Sequence, residues 1–443
     1  MLRKNIGKFI IVLLILSFFG ACDNSNPTAV NKNEINPFSN GSNERNLIVV
    51  ISDIHLGADL SYAECNKNLP KLEKFLLNLS ESKNVKELVI AGDLLDEWFI
   101  PADVNTYNGL DQADFIRRIA EANKGVVDAF KKIIQGGNIK VTYVPGNHDL
   151  TITDANVELI LPGINQARDA MQGLGTYSPT DFPLLAVEHG HRYNFFCAPD
   201  PISNKDIAPG SIMPPGYFFT RLATLHVKQH CTTPNDVLPT ITQNISGGDS
   251  QFSAFLYWNM WHYLVTEFPI ENNYSDKIIV TNIDGFTENY SVNDLVPYQL
   301  TSGGFIDMKL YKGIQDTWEE RQRINKVPII IPASQAITKA IYDTETDNQA
   351  INQYFMNAFS NKRIVVFGHS HAARIIGTNN YKGQKCVYAN SGTWIDVEPK
   401  NGIGMSFVVI TPQNSDASSK TFVRLYDFEN GTANQVQVDS LRL

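Results

Sequence analysis

Lys140-Val141-Thr142-Tyr143-Val144-Pro145-Gly146-Asn147-His148-Asp149 is the stretch on which the fold turns. Its first five residues are rich in β-branched and aromatic side chains and read as a strand. Pro145 and Gly146 end that strand in a tight turn. Turn chemistry accounts for Pro-Gly-Asn but not for the His-Asp that follows. An amide oxygen is a neutral metal ligand, and an imidazole beside it can protonate a leaving group.

The same arrangement, a short apolar run that breaks into polar residues, recurs on both sides. Residues 46–51 run into Ser52-Asp53-Ile54-His55-Leu56-Gly57, and 87–91 into Gly92-Asp93-Leu94-Leu95-Asp96. Residues 184–188 run into His189-Gly190-His191, and 364–367 into Gly368-His369-Ser370-His371. In extended chain, residues two apart share a side, so Asp53 and His55 can grip one cation together, and the rings of His369 and His371 lie on one side. Asp93 can bridge two cations through its two carboxylate oxygens, and Asp96 can orient a catalytic histidine. The chain has nine histidines, and those at 55, 148, 189, 191, 369 and 371 all fall inside these motifs. Ligand sites of α/β sheets collect beyond the C-terminal ends of strands, where such loops converge.

In this order D-x-H, G-D-x-x-D, G-N-H-D, H-G and G-H-x-H resemble the calcineurin-like metallophosphoesterase superfamily, over residues 47–195 and 360–400. The resemblance implies a dinuclear centre. One cation would be held by Asp53, His55, Asp93 and His371, the other by Asp93, Asn147, His189 and His369. A metal-bridged hydroxide would attack phosphorus in line, with His148, held by Asp96, protonating the leaving oxygen. Mixed carboxylate, amide and imidazole ligands suit Mn, Fe or Zn. Asp93-Leu94-Leu95-Asp96-Glu97-Trp98 looks most like the UDP-2,3-diacylglucosamine hydrolases. Those enzymes have H-G-D where this chain has His189-Gly190-His191, so their substrate does not carry over. Protein phosphatases of the superfamily carry an arginine where Glu97 and Trp98 stand, which argues against a phosphoprotein substrate.

Alternating strands and helices, followed by a strand-rich end after residue 362, predict an α/β fold: an α+β sandwich of two packed mixed sheets flanked by helices. One long helix is expected over 111–135. Residues 47–195 and 360–443 would form the metallophosphoesterase domain, and 196–359 an inserted cap of helices and loops. Within the insertion, Phe252, Phe255, Trp258 and Trp261 mark one face of a helix over 251–266. Residues 284–297 read as loop. His226 and His230, four apart, offer either a zinc pair or two ordinary histidines.

Arg3, Lys4 and Lys8 precede an apolar run, and Phe19-Gly20-Ala21-Cys22 resembles the lipobox of bacterial lipoproteins. The expectation is a signal peptide over 1–21, a lipid on Cys22 and a flexible tether over 22–46. That makes an exported, membrane-anchored lipoprotein, periplasmic or at the cell surface. Cys65, Cys197, Cys231 and Cys386 can then be disulfides or buried thiols. A net charge of −9 gives no electrostatic reason to gather nucleic acid. The expected partner is a phosphate mono- or diester, lipid-linked or nucleotide. The competing readings are an exonuclease-like phosphodiesterase and a non-catalytic metal-binding lipoprotein.

Overall fold

The computed structural model describes residues 36–340, 342–399, 401–414, 419–429 and 431–443. The expected signal peptide, Cys22 and most of the tether lie outside these residues. The described chain divides into two compact units. One holds residues 36–96, Ile116–His191 and Thr346–Leu443; the other holds Glu97–Phe115 and Arg192–Glu345.

The first unit carries β1 (Leu47–Ile51), β2 (Val85–Ala91), β3 (Lys140–Val144), β4 (Asn165–Gln166) and β5 (Leu185–Val187). The second unit contributes only short strands: β6 (Ile279–Val280), β7 (Asn289–Tyr290), β8 (Tyr298–Gln299) and β9 (Ile306–Asp307). The chain then returns to the first unit through β10 (Ile364–Phe367), β11 (Arg374–Asn379), β12 (Lys385–Asn390), β13 (Ser406–Thr411), β14 (Thr421–Glu429) and β15 (Thr432–Leu441). Seven strands form a mixed sheet in the order β15-β14-β13-β1-β2-β3-β4, and four form another in the order β11-β12-β10-β5.

Period-two patterning explains how the sheets pack. Ile48 and Val50, Val89 and Ala91, Val408 and Ile410 face inward from the large sheet. Leu185 and Val187, Ile364 and Val366, Val387 and Ala389 meet them from the small one. Each such aliphatic side chain contributes about 1.5–3 kcal/mol when fully buried. The opposite face of the large sheet is equally apolar because helices cover it. There Phe75, from α1 (Leu69–Ser80), packs 4.8 Å from Phe407 and 4.9 Å from Trp394, centroid to centroid.

The predicted α/β sandwich is therefore present, with local corrections. The helix expected over 111–135 is two helices, α2 (Gln112–Ala122) and α3 (Lys124–Gly136). They break at Asn123, whose backbone leaves helical values and whose Nδ2 donates to the carbonyls of Gly57 and Ile119 at 2.9 and 2.8 Å. Strands β11 and β15 were not expected; both are partly exposed and lack a continuous apolar run. All four cysteines among the described residues are buried thiols.

The first unit also holds α4 (Asp154–Ile160), and the second holds α5 (Pro215–Gln229) and α6 (Gly248–Glu267). The aromatic stripe on α6 is not one face. Residues three apart drift by about 60° per step on a helix turning about 100° per residue. Phe252 is accordingly exposed, while Trp261 is fully buried; the buried face is Ala254, Tyr257, Trp258, Trp261, Leu264 and Val265. His226 Nδ1 donates to the Pro269 carbonyl at 2.7 Å, and His230 closes α5 in a left-handed conformation. Neither belongs to a metal-ligand group among the described residues. Residues 284–297 are not all loop: a capping box of Ser291 and Asp294 starts a short helix at Val292–Leu295. No helix among the described residues is long and apolar enough to cross a membrane.

Candidate metal centre

Strands β1, β2 and β3 are parallel and in step, Ile51 opposite Ile90 and Ala91 opposite Val144. In the small sheet β5 and β10 are also parallel, Val187 opposite Val366. All five strands release their motifs at their C-terminal ends.

The loops do not continue as extended chain, which corrects the expected reason that D-x-H and H-x-H converge. Asp53, His55, Asp93, His369 and His371 have φ of 52°, 53°, 52°, 68° and 57°. Non-glycine residues in this left-handed region cost about 1–3 kcal/mol each and persist only where the surroundings impose them. Here the loops impose them on one another. The amides of Asp53 and His55 donate to the carbonyls of Gly92 and Asp93 at 3.1 and 2.9 Å, and the amide of Trp394 donates to the Asp53 carbonyl at 3.1 Å. The amide of His369 donates to both oxygens of Asp53 at 3.1 Å. Two glycines make room: a Cβ at Gly146 would lie 2.1 Å from Asp93 Oδ1, and one at Gly368 would lie 2.5 Å from Asp53 Oδ2.

All of these side chains are buried, together with Asn147, His148 and His189. Asp53 Oδ1 lies 3.1 Å from His371 Nε2, which lies 3.3 Å from His55 Nε2. Asp93 Oδ2 is 3.6 Å from His55 Nε2 and 3.1 Å from His189 Nε2; the latter is 3.0 Å from Asn147 Oδ1. Asp93 Oδ1 accepts the His148 amide at 2.8 Å. Oδ2 alone sits between the two histidines and has no hydrogen bond.

Tautomers decide what this means. His55 Nδ1 donates to Asp96 Oδ2 at 2.9 Å, and His189 Nδ1 donates to the Ala91 carbonyl at 2.8 Å. In their neutral forms both Nε2 atoms are lone pairs. Two groups, Asp53–His55–His371 and Asp53–Asp93–His189, thus crowd carboxylate oxygens and imidazole nitrogens together in a buried place. Only a cation or added protons can satisfy them. The residues fit a divalent cation.

A further group, His55, Glu64, Asp96 and His148, has the opposite character. The Nδ1 atoms of His55 and His148 donate to the two oxygens of Asp96, both at 2.9 Å. Both oxygens of Asp96 are thus met by ring donors, which makes this a hydrogen-bonded support, with Glu64 beside it.

Titration follows from the crowding. Burial opposes charge on His189, but Asp93 and then Asp53 outweigh it and raise the imidazole to about 9. Burial also opposes charge on Asp93, yet the surrounding histidines, His189 foremost, hold it well below the usual carboxylate range. Burial and the Asp93 charge push Asp149 up to about 6. Burial, reinforced by His189, drives His369 down to about 3.

His369 stands apart from the other expected ligands. Its ring is 5.1 Å from that of His189, its buried Nδ1 has no partner, and it joins neither acceptor group. His191 Nε2 donates to the Gly173 carbonyl at 2.9 Å, so this ring is neutral and its buried Nδ1 is a bare lone pair. Three supporting roles were not expected from the sequence, although Asp149 lies inside a quoted motif. Asp149 accepts the amides of Gly146 and Leu94 at 2.6 and 2.9 Å, tying two motif loops together. Asn390 Nδ2 donates to the Gly368 carbonyl at 2.7 Å. Its signal was present in Asn390-Ser391-Gly392, another polar exit from a strand. Glu64 approaches His55 Nδ1 at 3.3 Å and has no motif around it.

Two mixed sheets, flanking helices and a carboxylate–imidazole centre at the strand ends make a mixed α/β architecture consistent with the metallophosphoesterase fold. Residues 47–219 match the family model described as calcineurin-like phosphoesterase. Among solved structures, a single mutant and a double mutant of Vps29 from Entamoeba histolytica are similar at 10% and 11% identity, with TM-scores of 0.24 and 0.25. Each comparison covers 89% of this chain and 99% of the other. No curated protein matches the chain.

Proposed function

We propose that the protein is a metal-dependent phosphoesterase that hydrolyses a phosphate mono- or diester outside the cytoplasm. The observation that carries this reading is the convergence of the Asp53, His55, Asp93, Asn147, His189 and His371 side chains, all of ligand type, in one buried place. Beside them stands an imidazole, His148, whose Nδ1 is engaged by Asp96.

Two divalent cations, Mn, Fe or Zn, held by Asp53, His55, Asp93 and His371 and by Asp93, Asn147, His189 and His369, would supply Lewis acidity, an activated water and neutralisation of phosphoryl charge. The protein's own groups do the rest. Asp93 sets the two halves of the centre side by side through Oδ2. Burial opposes charge on His148, but Asp96 and Asp93 raise its pKa and favour the protonated ring, whose Nε2–H can pass to the departing oxygen while Asp96 holds Nδ1–H. Asp149, Gly146 and Gly368 hold the loops close enough for this geometry. Export and a lipid on Cys22 belong to the same proposal and are supported by the N-terminal sequence; the substrate class they suit is a lipid-linked or nucleotide ester.

The test is hydrolysis of bis-p-nitrophenyl phosphate and p-nitrophenyl phosphate by the purified full chain, with Mn and with EDTA. Metal-dependent turnover is expected, and the diester-to-monoester ratio directs the substrate screen. Degradation of single-stranded DNA would shift the reading to an exonuclease-like phosphodiesterase. Stoichiometric metal with no turnover of any ester would favour a non-catalytic metal-binding lipoprotein.

A further inference from the structure

The loop between β1 and α1 carries a carboxylate outside every motif. Glu64 Oε2 lies 3.3 Å from His55 Nδ1, and the Glu64 side chain is only 8% exposed. That oxygen is buried and makes no hydrogen bond of its own. A carboxylate gives up strong hydration to reach such a place and does so at a net gain only beside a donor or a positive charge.

The backbone around Glu64 is built to hold it there. The carboxylate of Asp396 accepts the amides of Asn66, Lys67 and Asn68 at 3.0, 2.9 and 3.0 Å. The amide of Asp396 in turn donates to the Glu64 carbonyl at 2.8 Å. The same segment seats Asp53, whose carbonyl accepts from the Trp394 amide at 3.1 Å and the Thr393 hydroxyl at 2.9 Å. One short stretch, residues 393–396, therefore sets the position of an expected ligand and of the carboxylate behind another.

Asp96 by itself is a divided support, since its second oxygen is committed to His148. Any movement of Asp96 with His148 would loosen His55. We infer that Glu64 is a positioning residue for His55: with Asp96 it holds the Nδ1–H, and so keeps Nε2 aimed at the place shared with Asp53 and His371. This rests on the metal-dependent reading above. Carboxylates that orient a metal-ligating histidine in this way carry roughly tenfold to hundredfold of metal affinity.

The test is calorimetric titration of the metal-free full chain with Mn(II), alongside Glu64→Ala, Glu64→Gln and Glu64→Asp, each checked by thermal melting. Wild type is expected to bind in two steps. Glu64→Ala weakens one step by about 10- to 100-fold and leaves the other within about threefold. Glu64→Gln recovers most of the loss, because its amide oxygen still turns a partial negative charge toward Nδ1–H. Glu64→Asp keeps the charge but withdraws it from His55, and weakens the same step about tenfold; it decides the matter where Glu64→Ala does not fold. Unchanged affinity in Glu64→Ala and Glu64→Asp overturns the inference alone. A Glu64→Gln protein as weak as Glu64→Ala, with melting lowered equally in both, also overturns it and assigns Glu64 to folding. Wild-type protein that takes up no Mn(II) overturns the metal-dependent reading and this inference with it.

Discussion

His55 and His148 hang on one carboxylate, their Nδ1 atoms meeting the two oxygens of Asp96 at 2.9 Å each. Both Nδ1–H groups are thereby held at once, which aims the Nε2 of each ring. One residue thus links the ligand geometry to the proton donor, although only the second of these duties was expected of it.

Asp96→Asn tests that link. An amide can accept from only one of the two rings and presents its NH2 to the other. We expect cation affinity to fall about tenfold and turnover by about 10²- to 10³-fold, measured by Mn(II) titration and steady-state kinetics on one preparation. Loss of turnover with unchanged affinity would confine Asp96 to His148.

Asp93→Ala removes the oxygen that lies between His55 and His189. Both metal equivalents should be lost, with affinity down by more than about 100-fold, as read by elemental analysis of the purified protein. Retention of one tightly held equivalent would show that the two halves of the centre do not share Asp93.

His148→Ala should retain its metal and lose about 10²- to 10⁴-fold in turnover. The deficit should grow as the leaving group becomes more basic, since a p-nitrophenolate departs without a proton. A leaving-group series checks this, and a flat profile would remove His148 from proton transfer.

Without a cation, His189 is held protonated up to about 9 by Asp93 and Asp53 against the effect of burial. A cation needs the neutral ring, so binding must displace that proton. Affinity should therefore rise with pH, by about tenfold per unit below 9, and level off above it. Calorimetry in buffers of different ionisation enthalpy should show about one proton released at pH 7. No proton release would mean that His189 is already neutral in the metal-free protein.

Gly146→Ala places a methyl group 2.1 Å from Asp93 Oδ1. Either the carboxylate or the loop must move, at a cost of about 1–3 kcal/mol in stability. Lower thermal stability together with weaker Mn(II) binding is expected; an unaffected variant would show the loop to be pliable.

Much of this protein was legible along the chain because its chemistry is local. Runs such as Ile48-Val49-Val50-Ile51 announce buried strands through side-chain type alone, and each strand hands its motif to the loop that follows. The α/β class followed from that regular placement, and the expected ligand set from the resemblance that the ordered motifs carry. Elements whose reasons are not local escaped. The break at Asn123 depends on the Gly57 carbonyl, far away in sequence. Strands β11 and β15 gain their order from neighbours rather than from a continuous apolar pattern.

The site divides in the same way. Residue types and spacing by themselves determined which side chains could serve as ligands and which strands would present them, because strand periodicity and turn chemistry act over a few residues. Only the tertiary structure decided how they face one another: five left-handed residues held by hydrogen bonds between loops, a single shared oxygen on Asp93, His369 set apart, and Glu64 brought up behind His55 by Asp396. Those features depend on contacts between segments up to hundreds of residues apart, and such contacts exist only once the two sheets have packed.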